Sequence, residues 1–172
     1  MDIKAALLQD YSKAHAQRIA AYIGSDPDCF KILMALFFNG GYRVTQRAAL
    51  VLSVCSESHP ALVQPYLKDL ILNLEKPVSD AVKRNTIRYL QKISIPTELQ
   101  GRLVDICFNY LTGTEPVAIK AFAMTVLANL VKTEPDLANE LKIIIQDQLP
   151  HASPGFSARA RKILRELTPG NS

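Results

Sequence analysis

Apolar residues recur along this chain in two interleaved frames. In the first, Leu52, Leu90, Leu127 and Leu164 follow one another at intervals of 38, 37 and 37 residues. Four residues before each leucine stands a small side chain: Ala48, Thr86, Ala123 and Ala160. Four before that stands an apolar one: Val44, Val82, Ile119 and Phe156. Three residues after come Cys55, Ile93, Leu130 and Leu167. Steps of four, four and three trace one stripe of an α-helix, and the small residue in its middle leaves room for a neighbouring backbone. These are termed B helices.

The second frame lies between. Phe30, Leu33, Met34 and Phe37 recur as Leu67, Leu70, Ile71 and Leu74, then as Leu103, Ile106, Cys107 and Tyr110. The last copy keeps Leu141, Ile144 and Ile145, with Leu149 one place beyond the expected fourth position. These are the A helices. Pro27, Pro60, Pro96 and Pro135 open them, while Asn39-Gly40-Gly41, Pro77, Pro116 and Pro154 fall in the turns before the B helices, where a missing N–H costs nothing. Ser25 or Asp26, Thr97 and Thr114 are the expected N-caps. Pro65 falls a turn inside the second A helix and should kink it.

The chain therefore reads as a single all-α domain over residues 1–172. A capping segment, 1–25, holds one helix over residues 2–23, and hairpin units follow at 26–59, 60–96, 97–135 and 136–168. A hairpin of this length cannot bury both its stripes alone, so neighbouring hairpins stack, and the charged last helix suits a terminal cap. The frame of an apolar residue, Lys or Arg, two residues, a small residue, three residues and Leu appears as Val82-Lys83 to Leu90 and Ile119-Lys120 to Leu127. It resembles the HEAT repeat family of the ARM/HEAT superfamily, as does an A helix kinked by proline. The chain departs from that pattern at Thr45 and Ser157, which replace the basic residue, and only Asp80 supplies an aspartate ahead of it. The resemblance implies an α–α superhelix, a right-handed solenoid of about four hairpins plus the N-terminal helix. It also implies a macromolecular binding scaffold with B helices lining the concave face.

Charge gives that face a sign. Across residues 43–59, 78–96, 115–133 and 151–172 the B segments hold 12 Lys/Arg and 4 Asp/Glu, net +8, whereas the A segments between them are net −5. The overall +4 thus hides a segregation that should attract anions to one face. At about 100° per residue, the positions farthest from the buried stripe are Gln46, Leu50 and Ser53; Arg84, Arg88 and Gln91; Ala121, Thr125 and Ala128; and Ala158, Lys162 and Arg165. Two basic ridges would flank a floor of small residues. Arg47, Arg159 and Arg161 fall to the sides, and Arg159 and Arg161 would serve the cap. The partner-binding candidates are Arg84, Arg88, Lys92, Lys162, Arg165 and Arg47. Arg84, Arg88 and Lys92, four apart, should repel one another by roughly 0.2–0.5 kcal/mol per pair unless an anion sits near. Such a run also serves simply as a hydrated helix face.

Signals for catalysis are poor. His15, His59 and His151 have no metal-ligand spacing and read as surface or helix-end histidines. Cys55 and Cys107 fall on buried stripes, and Cys29 has no evident base. Asp26 and Asp28 flank Pro27 at a helix start, where they favour the macrodipole. No nucleotide-binding loop or nucleophile elbow is present. No catalytic residue, cofactor or metal is expected, and the chain reads as a non-enzymatic scaffold holding an acidic protein segment. Non-catalytic nucleic-acid binding is the alternative. Enzymes resembling DNA alkylation repair glycosylases or bilin lyases are more remote, since the chain has no Trp and its groove positions have no aromatic or Asp to capture a flipped base. With no signal-peptide core, no apolar run of membrane-spanning length and an odd number of cysteines, a soluble cytoplasmic protein without a membrane partner is expected.

Overall fold

The computed structural model describes residues 1–168, so the last four positions of the single-domain reading lie outside the described residues. Among the described residues the regular structure is helical. The chain divides into two compact units, Met1–Tyr89 and a second that begins at Leu90.

The first unit opens with α1 (Ile3–Gln9) and α2 (Lys13–Ile23), where the sequence pattern had suggested one continuous helix. The break is made by polar side chains. Asp10 is extended, and its carboxylate accepts the Tyr11 N–H at 2.7 Å and the Ser12 hydroxyl at 2.6 Å. Ser12 in turn caps α2 by accepting the His15 N–H. These local bonds compete with the helical ladder, so the chain restarts at Ser12 rather than running through. The hairpin of α3 (Pro27–Asn39) and α4 (Tyr42–Ser58) follows, with α4 packed on α1, α2 and α3. Asp26 caps α3, accepting the N–H groups of Asp28 and Cys29. Gly40 sits in the turn between the two helices because a Cβ there would lie 2.5 Å from the Leu36 carbonyl and 2.7 Å from Val44 Cγ1.

Pro65 acts as expected. The second A helix is split into α5 (Pro60–Val63), a 3-10 turn at Gln64–Tyr66 and α6 (Leu67–Asn73), because proline removes one rung of the α-helical ladder. α7 (Asp80–Leu90) follows, with the Ser79 hydroxyl accepting the Val82 N–H.

In the second unit, α8 (Thr97–Thr112) pairs with α9 (Val117–Val131), and α10 (Leu137–Gln148) precedes a 3-10 turn and α11 (Pro154–Leu167). Thr97 and Thr114 do not cap. The cap positions of α8 and α9 are Pro96 and Pro116, held near ψ 142° and 149° with no side-chain bond, so proline sets the entry geometry instead. α9 packs against α8, α10 and α11 at once and is apolar almost all round, as a helix enclosed on several sides must be.

The repeating stripe is the core. Ala48, Thr86, Ala123 and Ala160 are all at most 1% exposed, and Leu52, Leu90 and Leu127 at most 3%. Leu164 is half-exposed. Successive hairpins of the second unit are also stitched by side chains that reach back about one repeat length. Gln148 Nε2 donates to the Leu111 carbonyl at 2.7 Å, and Asn129 Nδ2 to the Gln91 carbonyl at 2.9 Å. Both acceptors sit near helix ends, where carbonyls lack an intrahelical partner.

Candidate binding surface

Each basic candidate is placed by its own unit. In the first, Arg84 and Arg88 are exposed on α7. Arg88 Nη2 lies 3.5 Å from Glu57 Oε1 of α4, an ion pair in which both side chains are nearly half exposed. Such a pair is worth little and gives way readily to another anion. Lys92 does not continue this row, because α7 ends at Leu90 and Lys92 stands in the turn beyond it. The even four-residue spacing of three cations along one helix is thus shortened to two.

Arg47 is placed differently. Its Nη1 donates to the Leu7 carbonyl at 2.8 Å, its guanidinium carbon lies 5.9 Å from the centre of the Tyr11 ring, and its Nε is buried without a partner. It ties α4 to the end of α1. His15 completes that end. The residue is buried, its Nε2–H donates to the Ala6 carbonyl at 2.7 Å, and its Nδ1 accepts from Arg18 Nη2 at 2.7 Å. The sequence reading of His15 as a surface or helix-end histidine is therefore corrected: it is an interior cap for a seven-residue helix whose last carbonyls would otherwise be orphaned. The signal available in the sequence was the Asp10-Tyr11-Ser12 break, which puts His15 one turn into a new helix.

In the second unit, Lys162 and Arg165 are exposed on α11, and Lys92 lines a cleft of about 320 Å³ together with Lys132 and Gln100. The small-residue floor expected at Ala121, Thr125 and Ala128 is not open. Ala121 and Ala128 are buried, and Arg159 lies over the first of them. Arg159 Nη1 donates to Gln91 Oε1 at 3.1 Å, Thr125 Oγ1 at 3.3 Å and the Ala121 carbonyl at 3.4 Å, with its guanidinium 5.3 Å from the centre of the Phe122 ring. Arg159 and Arg47 share the repeat position just before the small residue, and each straps its helix to an earlier one over an aromatic ring.

The chemistry-bearing residues take structural roles. Burial pushes the Cys55 thiol up to about 11 and raises Cys107 further in the same direction, so neither is a ready thiolate. Burial and the Asp26 carboxylate also raise Cys29, while the backbone N–H groups of Cys29 and Asp28 hold Asp26 below the usual carboxylate range. Among the described residues no group of three or more His, Cys, Asp or Glu side chains is gathered to hold a metal, and no helix is long and apolar enough to cross a membrane.

A stripe of fixed spacing, a buried small residue at its centre and side-chain bridges one repeat long are what stacked hairpins of one family share. The chain matches the HEAT repeat domain over residues 3–167. It belongs to the HEAT repeat family. Searches of the curated proteins and of the solved structures find no match. HEAT repeats form all-α solenoids that serve as binding scaffolds, generally for other proteins, and are typically non-catalytic. α1 and α2 fall inside the matched range, so the N-terminal helices belong to the HEAT array.

Proposed function

We propose that this HEAT repeat chain is a non-enzymatic scaffold that holds an acidic segment of another protein on the basic side chains of its second helices. The observation that supports this reading is the segregation of charge: net +8 in the B segments against −5 in the A segments. The residues are Arg84 and Arg88 in the first unit, and Lys92, Lys162 and Arg165 in the second. Arg47 is left to packing, since its guanidinium is committed to Leu7 and Tyr11. A face of one sign raises the local concentration of an oppositely charged chain and speeds its capture.

The test is fluorescence anisotropy of labelled polyglutamate and of labelled duplex DNA over a salt series. Three proteins are compared: the unaltered chain, the Arg84→Glu/Arg88→Glu variant and the Lys162→Glu/Arg165→Glu variant. Polyglutamate is expected to bind at low salt, to weaken steeply as salt rises and to weaken in each variant. Tighter binding of duplex than of polyglutamate, with the linear salt dependence of phosphate contacts, replaces this reading by nucleic-acid binding. No binding of either probe at low salt overturns the basic surface altogether.

A further inference from the structure

The bonds of Arg159 to Ala121 and Thr125 fix which side of α11 faces α9. At about 100° per residue, Leu164 and Arg161 stand about 140° and 160° around the helix from Arg159, on the side turned away from α9. In α9 the matching positions are Met124, Leu127 and Ala128, all buried in a helix enclosed by α8, α10 and α11. In α11 they are Arg161, Leu164 and Arg165: the central leucine is kept, and its neighbours become exposed arginines. The substitution is particular to this hairpin, since the position of Arg161 holds buried Ala49, Ile87 and Met124 in the other three. The first helix of the hairpin shows a matching change: Ile144 is half-exposed where Ile106 is buried. Leu167 is half-exposed as well. The acid of α11, Glu166, falls on the Arg159 side and does not neutralise this seam.

A face built only for solubility would replace the leucine too, and would mix signs of charge. We propose that this side of α11 docks an amphipathic acidic helix of a partner protein. The partner's apolar stripe lies on Leu164, and its carboxylates meet Arg161 and Arg165. The helix would lie where a further hairpin stacks in the interior of the array. Charge argues against a second copy docking through its first helices, because those carry Lys4, Lys13 and Arg18 against Asp2 and Asp10. Duplex nucleic acid offers phosphates to the arginines and nothing to the leucine between them. The surface adjoins the side bearing Lys162 and shares Arg165 with the function proposed above; dependence on Leu164 is what distinguishes the two.

The experiment uses the full chain and a labelled helical peptide of about 18 residues with leucines along one stripe and glutamates elsewhere. A peptide of the same composition with its leucines dispersed serves as comparator. The striped peptide is expected to bind more tightly than the dispersed one. Its affinity should fall at least about tenfold in Arg161→Glu and in Leu164→Ser, while binding of the dispersed peptide stays within about twofold of the unaltered chain in Leu164→Ser. Arg161 is exposed, so its variant keeps the signal interpretable if Leu164→Ser unfolds in a circular dichroism melt. Equal binding of the two peptides, or an equal loss of both in Leu164→Ser, overturns the proposal. So does concentration-dependent self-association in sedimentation that Leu164→Ser abolishes, which would assign the seam to a second copy.

Discussion

α9 and α11 carry the same repeat frame, yet the frame does different things in each. In α9 the stripe residues and their flanks are buried alike, because helices close on it from several sides. In α11 only Phe156, Ala160 and Ile163 are fully buried; Leu164 and Leu167 are half-exposed and arginines replace the apolar flanks. A repeat position therefore has no fixed energetic value. Its worth depends on whether another hairpin lies over it.

The sharpest way to break this comparison is a matched pair of truncations. Leu127→Ala should cost roughly 2–5 kcal/mol, the range for opening a cavity under a fully buried leucine, while Leu164→Ala should cost less, since part of its surface is already in water. Urea denaturation curves measure both, and equal losses would show that position in the array does not matter.

The two arginine straps come next. Arg159→Met removes a cation that satisfies three acceptors and should destabilise by about 1–3 kcal/mol. Arg47→Met removes the bond to the Leu7 carbonyl together with a buried unpaired Nε, so its loss should be smaller. A larger loss at Arg47 would mean that the seal on α1 matters more than the strap on α9.

The small-residue position sharpens the comparison further. Thr86 stands where the other three B helices have alanine, and its hydroxyl is buried without a partner. Thr86→Ala should be neutral or stabilise by up to about 1 kcal/mol, whereas Ala123→Thr should destabilise, as judged by thermal melts of the two variants side by side.

The smallest effect concerns pH. Asp26 is held below its ordinary pKa by the N–H groups it caps, so its contribution is present above the unfolded carboxylate range near 4 and fades as pH falls through the lower, folded value. Melting temperatures of the unaltered chain and Asp26→Ala should differ slightly at pH 7 and converge at pH 2. A gap that persists unchanged at pH 2 would assign the difference to helix propensity rather than to the charge.

Much of this protein was legible before any coordinates. The stripes at Val44-Ala48-Leu52 and its copies, the break at Pro65 and a cap at Ser25 or Asp26 all follow from local rules: the helical period, the missing proline N–H and a polar side chain beside unpaired amides. What lay beyond the sequence was whatever depends on a side chain meeting a residue about a repeat away. Arg47 and Arg159 look like surface cations until Leu7 and Ala121 appear beside them, His15 looks idle until the carbonyl of Ala6 meets it, and Ala121 looks open until Arg159 lies on it. Sequence by itself determined the all-α class, the repeating helical stripes and the sign of charge each kind of helix carries, because periodicity and composition are properties of the chain. Tertiary structure alone decided which cations are consumed in packing and which remain exposed, because a guanidinium sits at the end of a long side chain and its partners are chosen by where the fold puts the neighbouring carbonyls.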